Sequence, residues 1–282
     1  MGAMWDRGVG RWVRIYIPLG VLLLVMLFPF YWMAITSFKS TAELFDLDRS
    51  PLFVSKPTLA WYQDLFTQSL YPRWMLNSTV VAVASTAISL FCSILAGYSL
   101  ARLRYRGAGA IGWGIFVTYL VPPTLLFLPL TLIIGGLHLF DNLWALILTY
   151  PTLQIPFCTW LLMGYFKAIP RELEESALVD GASRIQAMVR IAIPLALPGI
   201  LAAGLFAFTL SWNELLYSLI FMNNIEAKTI PVGVIQGLAN GEAIKWGEVM
   251  AATLVGSLPV AFLYSFFVEQ FVAGMTAGAV KG

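Results

Sequence analysis

Long intervals without a charged residue divide this sequence, and they constrain its fold more than any other feature. They lie between Arg14 and Lys39 (24 residues), Arg73 and Arg102 (28), Arg106 and Asp141 (34), Asp141 and Lys167 (25), and Glu248 and Glu269 (20). A further apolar run, from Ile191 to Asn224 and fifth in chain order, contains one charged residue, Glu214. Because about 20 apolar residues let an α-helix cross the hydrocarbon core of a bilayer, we predict an all-α, polytopic membrane protein with six transmembrane helices.

Composition excludes the main alternatives to a membrane protein. Apolar residues make up 59% of the chain, charged residues 11%, and the mean hydropathy is +0.80, whereas roughly a quarter of the residues in a soluble domain are charged. A net charge of +2 argues against a nucleic-acid partner, which would require a broad basic face. The first apolar interval is too long for a removable signal peptide and lacks a small-residue cleavage site, so we expect it to remain as an anchor.

The distribution of Lys and Arg predicts the orientation in the membrane, because these residues accumulate on the cytoplasmic side. Eleven of the 17 lie in the segments that six crossings place on the same side as both termini. We therefore expect both termini to be cytoplasmic. The loop between Lys39 and Arg73 then lies outside, where its aromatic residues either rest on the membrane interface or contact an extracytoplasmic partner.

A strongly polar segment, Pro170 to Pro194, separates the fourth and fifth apolar runs. Pro170 suits the first turn of a helix, and the acidic residues that follow it favour a helix N-terminus. Gly181 permits a backbone turn that a residue with a side chain resists, and Ser183 can cap a second short helix. We predict two short helices joined at a glycine elbow outside the membrane. The plainer alternative is a polar loop with no function beyond connecting two spans.

The order of residues in this segment resembles a known motif. Glu175-Ser176-Ala177, then three residues, Gly181, nine residues, and Ile191-Ala192-Ile193-Pro194 is similar to the EAA loop of permease subunits in binding-protein-dependent ABC importers, E-A-A-x3-G-x9-I-x-L-P. Ser176 and Ile193 depart from that pattern by small changes. Leu173-Glu174-Glu175 and Asp180-Gly181-Ala182 resemble the version found in carbohydrate importers. In that family the loop docks on a separate ATPase subunit.

Further matches extend the resemblance over nearly the whole chain. Asn77-Ser78, residues 97–102 (GYSLAR), Trp246-Gly247 and the C-terminal GAVKG resemble the smaller permease of the maltose-type importer. The resemblance implies the type I ABC importer permease fold in a bacterial plasma (inner) membrane. It implies as partners a second homologous permease, an ATPase dimer, an extracytoplasmic sugar-binding protein and membrane lipid. The chain lacks a phosphate-binding G-x-x-x-x-G-K-[ST] stretch, so we expect it to bind no cofactor, with ATP and Mg held by the partner ATPase.

The resemblance also predicts a division of the chain and a set of residues that couple it to the ATPase. The division is a cytoplasmic tail 1–14, a first transmembrane helix 15–38, an extracytoplasmic loop 39–72, an ABC transmembrane type-1 domain 73–270 containing the EAA coupling loop 168–194, and a cytoplasmic tail 271–282. The predicted coupling residues are Glu174, Glu175, Ala177, Asp180, Gly181, Arg184, Ile191 and Pro194.

Glu214 is the one acidic residue that the sequence places inside a predicted span. A carboxylate there is costly to insert, so it should face protein or water. With Trp212 and Asn213 it is a candidate for the substrate path, since an aromatic face and an amide suit a sugar ring and its hydroxyls. The alternative is that Glu214 lies near the outer end of the span and bonds a neighbouring helix for structure alone.

Other function classes have less support in the sequence. A stand-alone ion-coupled secondary transporter or channel would require ionisable residues within its spans, and Glu214 alone meets that requirement. A membrane enzyme would require a catalytic constellation, and we predict no catalytic residues and no metal site. Cys92 and Cys158 both lie in apolar runs, where cysteine behaves as a small hydrophobe. The identity of the sugar does not follow from the sequence.

Overall fold

The computed structural model describes residues 12–103, 105–239 and 244–279, and side chains as far as residue 267. Four of the eleven basic residues that predict the orientation lie outside the described residues: Arg7, Arg11, Arg104 and Lys281. Helices account for most of the described chain, which contains no strand. In chain order they are α1 Trp12–Phe38, α2 Thr41–Leu44, α3 Ala60–Thr67, α4 Tyr71–Arg102, α5 Ala108–Tyr119, α6 Pro123–Gly136, α7 Leu143–Ala168, α8 Glu172–Val179, α9 Arg184–Leu195, α10 Leu197–Asn213, α11 Leu216–Phe221, α12 Ile230–Gly233 and α13 Trp246–Ala279.

The described helices confirm the predicted fold class. Four of them, α1, α4, α7 and α13, are long and apolar enough to cross a membrane, and two bent pairs, α5 with α6 and α9 with α10, raise the number to six. The α5–α6 pair bends by 95° at Pro122 and Pro123, because proline fixes its own φ and disfavours helical geometry in the residue before it. Pro122 and Pro123, in the third charge-free interval, therefore separate two helices.

The chain divides into two compact units, residues 1–72 with 234–257, and residues 73–233 with 258–282. In the first unit, the large apolar side chains of α1 from Trp12 to Tyr31 are exposed, as expected of a helix that meets lipid. The predicted outer loop is folded: the Trp61 indole donates to the Lys39 carbonyl at 2.6 Å and Lys39 Nζ donates to the Pro51 carbonyl at 2.6 Å. Tyr71 is fully buried, and its hydroxyl donates to the Ala252 carbonyl at 2.7 Å.

Helix α7 lies at the centre of the second unit, where it packs against α5 and α10. A buried polar network joins it to two other helices. The Gln154 amide lies between Ser89 of α4, which donates to its Oε1 at 2.6 Å, and the Ala207 carbonyl of α10, which accepts from its Nε2 at 3.2 Å. Hydrogen bonds inside a membrane bundle fix the helices in register, so this network holds the frame that carries the candidate sites.

The fifth apolar run differs from the continuous span that the sequence suggested. Near its start the chain bends by 75° between α9 and α10, and α10 ends at Asn213. The backbone is extended at Glu214, and α11 begins at Leu216. Glu214 therefore lies at a break between two helices. The reason is chemical: its carboxyl group accepts from the free backbone N–H groups of α11, as described below.

Candidate functional site

Helices α8 and α9 form a hairpin, residues 172–195, on the polar segment that the sequence singled out. Its elbow is Gly181, whose φ of +89° is left-handed and unfavourable for residues with a side chain. A capping box starts α9: Gln186 N donates to Ser183 Oγ at 3.3 Å, and Ser183 N donates to Gln186 Oε1 at 2.8 Å. The predicted elbow and cap are confirmed. Helix α8 begins at Glu172 rather than in the turn of Pro170.

The hairpin is anchored by a buried ion pair. Arg102, at the end of α4, places its Nε 2.9 Å from Glu174 Oε1, with side-chain exposures of 5% and 10%. Tyr98, one turn earlier on α4, donates from its hydroxyl to Glu174 Oε2 at 2.8 Å. Arg102 Nη2 also donates to the Ile169 carbonyl at the end of α7, at 2.7 Å. One arginine thus ties the first arm of the hairpin to the ends of α4 and α7.

The structure separates the predicted coupling residues into an inner and an outer group. Glu174 is buried, and Ala177 and Ile191 are half-buried; the exposed members are Glu175, Asp180, Gly181, Arg184 and Pro194. No ion pair within the described chain involves the three exposed charged residues. Their role in coupling remains a prediction, and the inward position of Glu174 distinguishes it from the rest.

Sequence reasoning missed the apolar character of the hairpin's tip. Val179 and Ile185 flank the elbow and are 87% and 71% exposed. Leu173 and Val189 are exposed as well. Large apolar side chains grouped on an otherwise polar hairpin are typical of a surface that contacts another protein or a membrane. The signal was present in the sequence as two branched residues on either side of the glycine.

An open cavity of about 510 Å³ lies beside the hairpin. Its lining consists of Arg102, Leu103, Tyr105, Arg171, Glu174, Glu175, Leu178 and Arg184. With Arg102 paired to Glu174, the charges left for a partner are those of Arg171, Arg184 and Glu175. The hairpin therefore offers an apolar tip next to a charged recess, which suits docking and contains no reactive group.

The second predicted site, at the α10–α11 break, does not converge on one pocket. Trp212 is buried and stacks on Phe208, with ring centroids 5.5 Å apart. Asn213 is exposed, and its Nδ2 donates to the Thr209 carbonyl of its own helix at 3.0 Å. Glu214 faces another direction, toward α7. The three side chains are neighbours in sequence that meet different partners.

The Glu214 carboxyl group holds the break together. It accepts from the Tyr150 hydroxyl of α7 at 2.9 Å and from the backbone N–H groups of Tyr217 and Ser218 at 3.0 and 3.3 Å. Those N–H groups belong to the first turn of α11 and have no partner within their helix. The Tyr217 hydroxyl donates to the Pro123 carbonyl at 2.8 Å, so the break at Glu214 is joined to the break between α5 and α6.

A carboxylate in the segment between α1 and α4 is held in a similar way. Glu43 accepts from the backbone N–H groups of Ser55 and Lys56, at 2.6 and 3.4 Å. The Ser55 N–H stabilises the ionised form and so lowers the pKa of the Glu43 carboxyl. Within the described residues no group of three His, Cys, Asp or Glu side chains is arranged to hold a metal ion.

Comparisons with known proteins agree on one family. A profile of the family described as the binding-protein-dependent transport system inner membrane component matches residues 89–277, more than half of the chain. The chain is 37% identical to the inner membrane ABC transporter permease protein YcjP of Escherichia coli, over 96% of each chain. It is 40% identical to the sulfoquinovosyl glycerol transport system permease protein SmoH of Agrobacterium fabrum, over 95% of this chain and 93% of that protein.

A third relative and a solved structure extend this result. The trehalose/maltose transport system permease protein MalG of Thermococcus litoralis is 33% identical over 95% of this chain and 97% of its own. A chain in the crystal structure of a bacterial ABC transporter that imports the acidic polysaccharide alginate superposes with a TM-score of 0.83 at 22% identity, covering 94% of this chain and 97% of that one. The type I ABC importer permease fold is thereby confirmed, and this chain belongs to the family of binding-protein-dependent transport system inner membrane components.

Proposed function

We propose that this chain is the permease subunit of an ATP-driven carbohydrate importer, and that it forms half of a translocation path. The observation that carries the proposal is the full-length similarity to permeases named for sulfoquinovosyl glycerol and for trehalose and maltose. The exposed apolar tip of the hairpin, residues 172–195, also supports the proposal, because it offers a surface for an ATPase subunit. A stand-alone ion-coupled transporter or channel is not favoured by these relatives.

The hairpin is the surface on which a separate ATPase dimer acts. Val179 and Ile185 at the tip, next to the recess with Arg171 and Arg184, offer an apolar contact rimmed by charge, the usual composition of a protein interface. The sequence contains no phosphate-binding loop, so ATP and Mg bind to that partner. The hairpin and both termini are then cytoplasmic, and the division of the chain into tails, loop and domain remains a prediction.

Movement reaches the membrane helices through two connections. The first is the Arg102–Glu174 pair, which ties α8 to the ends of α4 and α7. The second is covalent, since α9 continues into α10 across a 75° bend. ATP binding favours one conformation of the ATPase pair, and it drives transport to the extent that the two conformations differ in affinity for ATP. A displacement of the hairpin would therefore move α4, α7 and α10 together.

The remaining partners complete the path. A second homologous permease contributes the other half, and an extracytoplasmic sugar-binding protein delivers the substrate. The crystal structure of an alginate transporter with its oligosaccharide-bound periplasmic protein contains a chain of this fold, with a TM-score of 0.70. Trp212, Asn213 and Glu214 remain candidates for the path. Asn213 is the one whose side chain is exposed.

Substitution of Gly181 tests this proposal. Proline has φ near −65° and cannot adopt the observed +89°, so Gly181→Pro should abolish ATP-dependent uptake in proteoliposomes while leaving membrane insertion intact. Gly181→Asn is the matched control, because asparagine tolerates the left-handed region and should retain most of the uptake. Normal uptake by Gly181→Pro, or uptake without a copurifying ATP-hydrolysing subunit, would contradict the proposal.

A further inference from the structure

A groove lies on the surface of the second unit, lined mainly by residues of α5 and α7. Two glycines of α5, Gly109 and Gly112, form part of its floor, and its volume is about 400 Å³. A Cβ atom added to Gly109 would meet no atom within 4 Å, so the absence of side chains on this face of α5 is what leaves the groove open.

The walls of the groove are aromatic. Trp113 and Phe116 of α5 and Trp160 of α7 line it. The centroids of the Phe116 and Trp160 rings lie 5.4 Å apart. Trp113 is 70% exposed and Trp160 is 45% exposed. Apart from Lys167 and the indole N–H groups of the two tryptophans, the lining side chains carry no strong hydrogen-bonding group. The interior of the groove therefore suits a hydrocarbon chain.

One end of the groove carries a positive charge. Lys167, in the last turn of α7, lines it together with Ala108 and Gly109 at the start of α5. Lys167 is exposed and forms no ion pair with a described carboxylate. Trp160 precedes it by seven residues, which is about 10 Å along an α-helix. Phe116 lies the same number of residues beyond Gly109, so both walls run from a charged mouth to an apolar interior.

This polarity matches one kind of molecule. A phospholipid has an anionic headgroup at the membrane surface and acyl chains that run inward, and basic pockets between membrane helices recognise such headgroups. The mouth lies near the C-terminal ends of α4 and α7, close to the hairpin. The interior extends from there toward the apolar middle of α5 and α7. We propose that the groove binds one anionic phospholipid, with its phosphate on Lys167 and an acyl chain along Trp113, Phe116 and Trp160.

Native mass spectrometry of the assembled transporter tests this. Purified complex is incubated with phosphatidylglycerol and phosphatidylcholine of identical acyl chains, and the retained lipid is counted. The unsubstituted complex should retain phosphatidylglycerol in preference. Gly109→Leu places in the groove a side chain whose Cβ meets no atom within 4 Å, and it should abolish retention. Gly114→Leu, the same change on the same helix at another open position that does not line the groove, should not.

The charge of the headgroup is tested separately. Lys167→Gln should lower the preference for phosphatidylglycerol over phosphatidylcholine about fivefold, the effect of one lysine near a membrane surface. A benzoylphenylalanine in place of Phe116 should form a photo-crosslink to phospholipid. Equal retention by the Gly109→Leu and Gly114→Leu complexes, an unchanged preference in Lys167→Gln, or a crosslink to a neighbouring polypeptide would each overturn the proposal. The last two measurements decide the matter even if Gly109→Leu does not assemble.

Discussion

The hairpin and the α10–α11 break each hold one glutamate against the helix bundle, but they compensate it differently. Glu174 has a cation, Arg102, and a hydroxyl, Tyr98. Glu214 has the Tyr150 hydroxyl and backbone N–H groups, and none of the described cations pairs with it. The first arrangement crosslinks distant segments through charge. The second satisfies the free N–H groups where one helix ends and the next begins. It depends on the local backbone geometry and not on a partner of opposite charge.

The largest effect is expected from breaking the ion pair. Arg102→Met leaves Glu174 buried without a counter-charge and should reduce the free energy of unfolding by about 3–5 kcal/mol. The double variant Arg102→Met with Glu174→Met replaces both charges by apolar side chains and should recover most of the loss. Unfolding of the purified protein in mixed micelles measures both. A double variant as unstable as Arg102→Met would mean that Glu174 does not depend on Arg102.

Removing the two tyrosine hydroxyls compares the sites directly. Tyr150→Phe takes away the one side-chain donor of Glu214 and should cost about 1.5–3 kcal/mol, the range for hydrogen bonds to charged groups. Tyr98→Phe should cost less, about 1 kcal/mol, because Arg102 still compensates Glu174. The same unfolding measurement applies to both variants. The reverse order would show that the two carboxyl groups are held in the same way.

Replacing each glutamate by glutamine keeps the shape of the side chain, removes its charge and compares the two sites further. Glu214→Gln can keep its contacts with Tyr150, Tyr217 and Ser218 through the amide oxygen, so we expect a loss below about 1.5 kcal/mol. Glu174→Gln leaves Arg102 unpaired and should cost more. If transport falls in Glu214→Gln while the unfolding free energy is unchanged, Glu214 acts in the substrate path and not in structure alone.

The smallest effect concerns Glu43, which resembles Glu214 in accepting from backbone N–H groups but lies in the segment between α1 and α4. Its lowered pKa means that its contribution to stability is present above the ordinary glutamate value of 4.5 and is lost as the pH falls through the folded-state pKa. Amide exchange at Ser55 should quicken below pH 4.5 relative to its intrinsic rate, and Glu43→Gln should remove that dependence. An identical pH profile in the variant would contradict the assignment.

Local signals in the sequence predicted the parts of the hairpin that local chemistry determines. Gly181 needed a left-handed turn, and Ser183 with Gln186 formed a capping box, because both effects act within a few residues. The partner of Glu174 could not be predicted in this way, since Arg102 is 72 residues away and only packing brings them together. The matching GYSLAR stretch contained Tyr98 and Arg102, but nothing local indicated which carboxylate they would meet.

The α10–α11 break shows the opposite case, in which a local pattern was misleading. A nearly uncharged apolar run suggests one continuous helix, and the sequence placed Glu214 inside that helix as its one charged residue. The structure shows that a carboxyl group can satisfy the free N–H groups of a new helix, and that interaction outweighs the continuity of the apolar run. The apolar pattern specifies which residues avoid water, and it contains no information about where the backbone turns.

The left-handed backbone at Gly181 has a consequence for chirality. A Cβ atom added there meets no atom within 4 Å, so the restriction on this position is torsional and not one of space. An L-residue is disfavoured by contact between its own Cβ and the backbone. The mirror-image residue reverses that preference, so D-alanine would suit this turn. A hairpin made with it would keep its bend and lose the conformational freedom that glycine has in the unfolded chain.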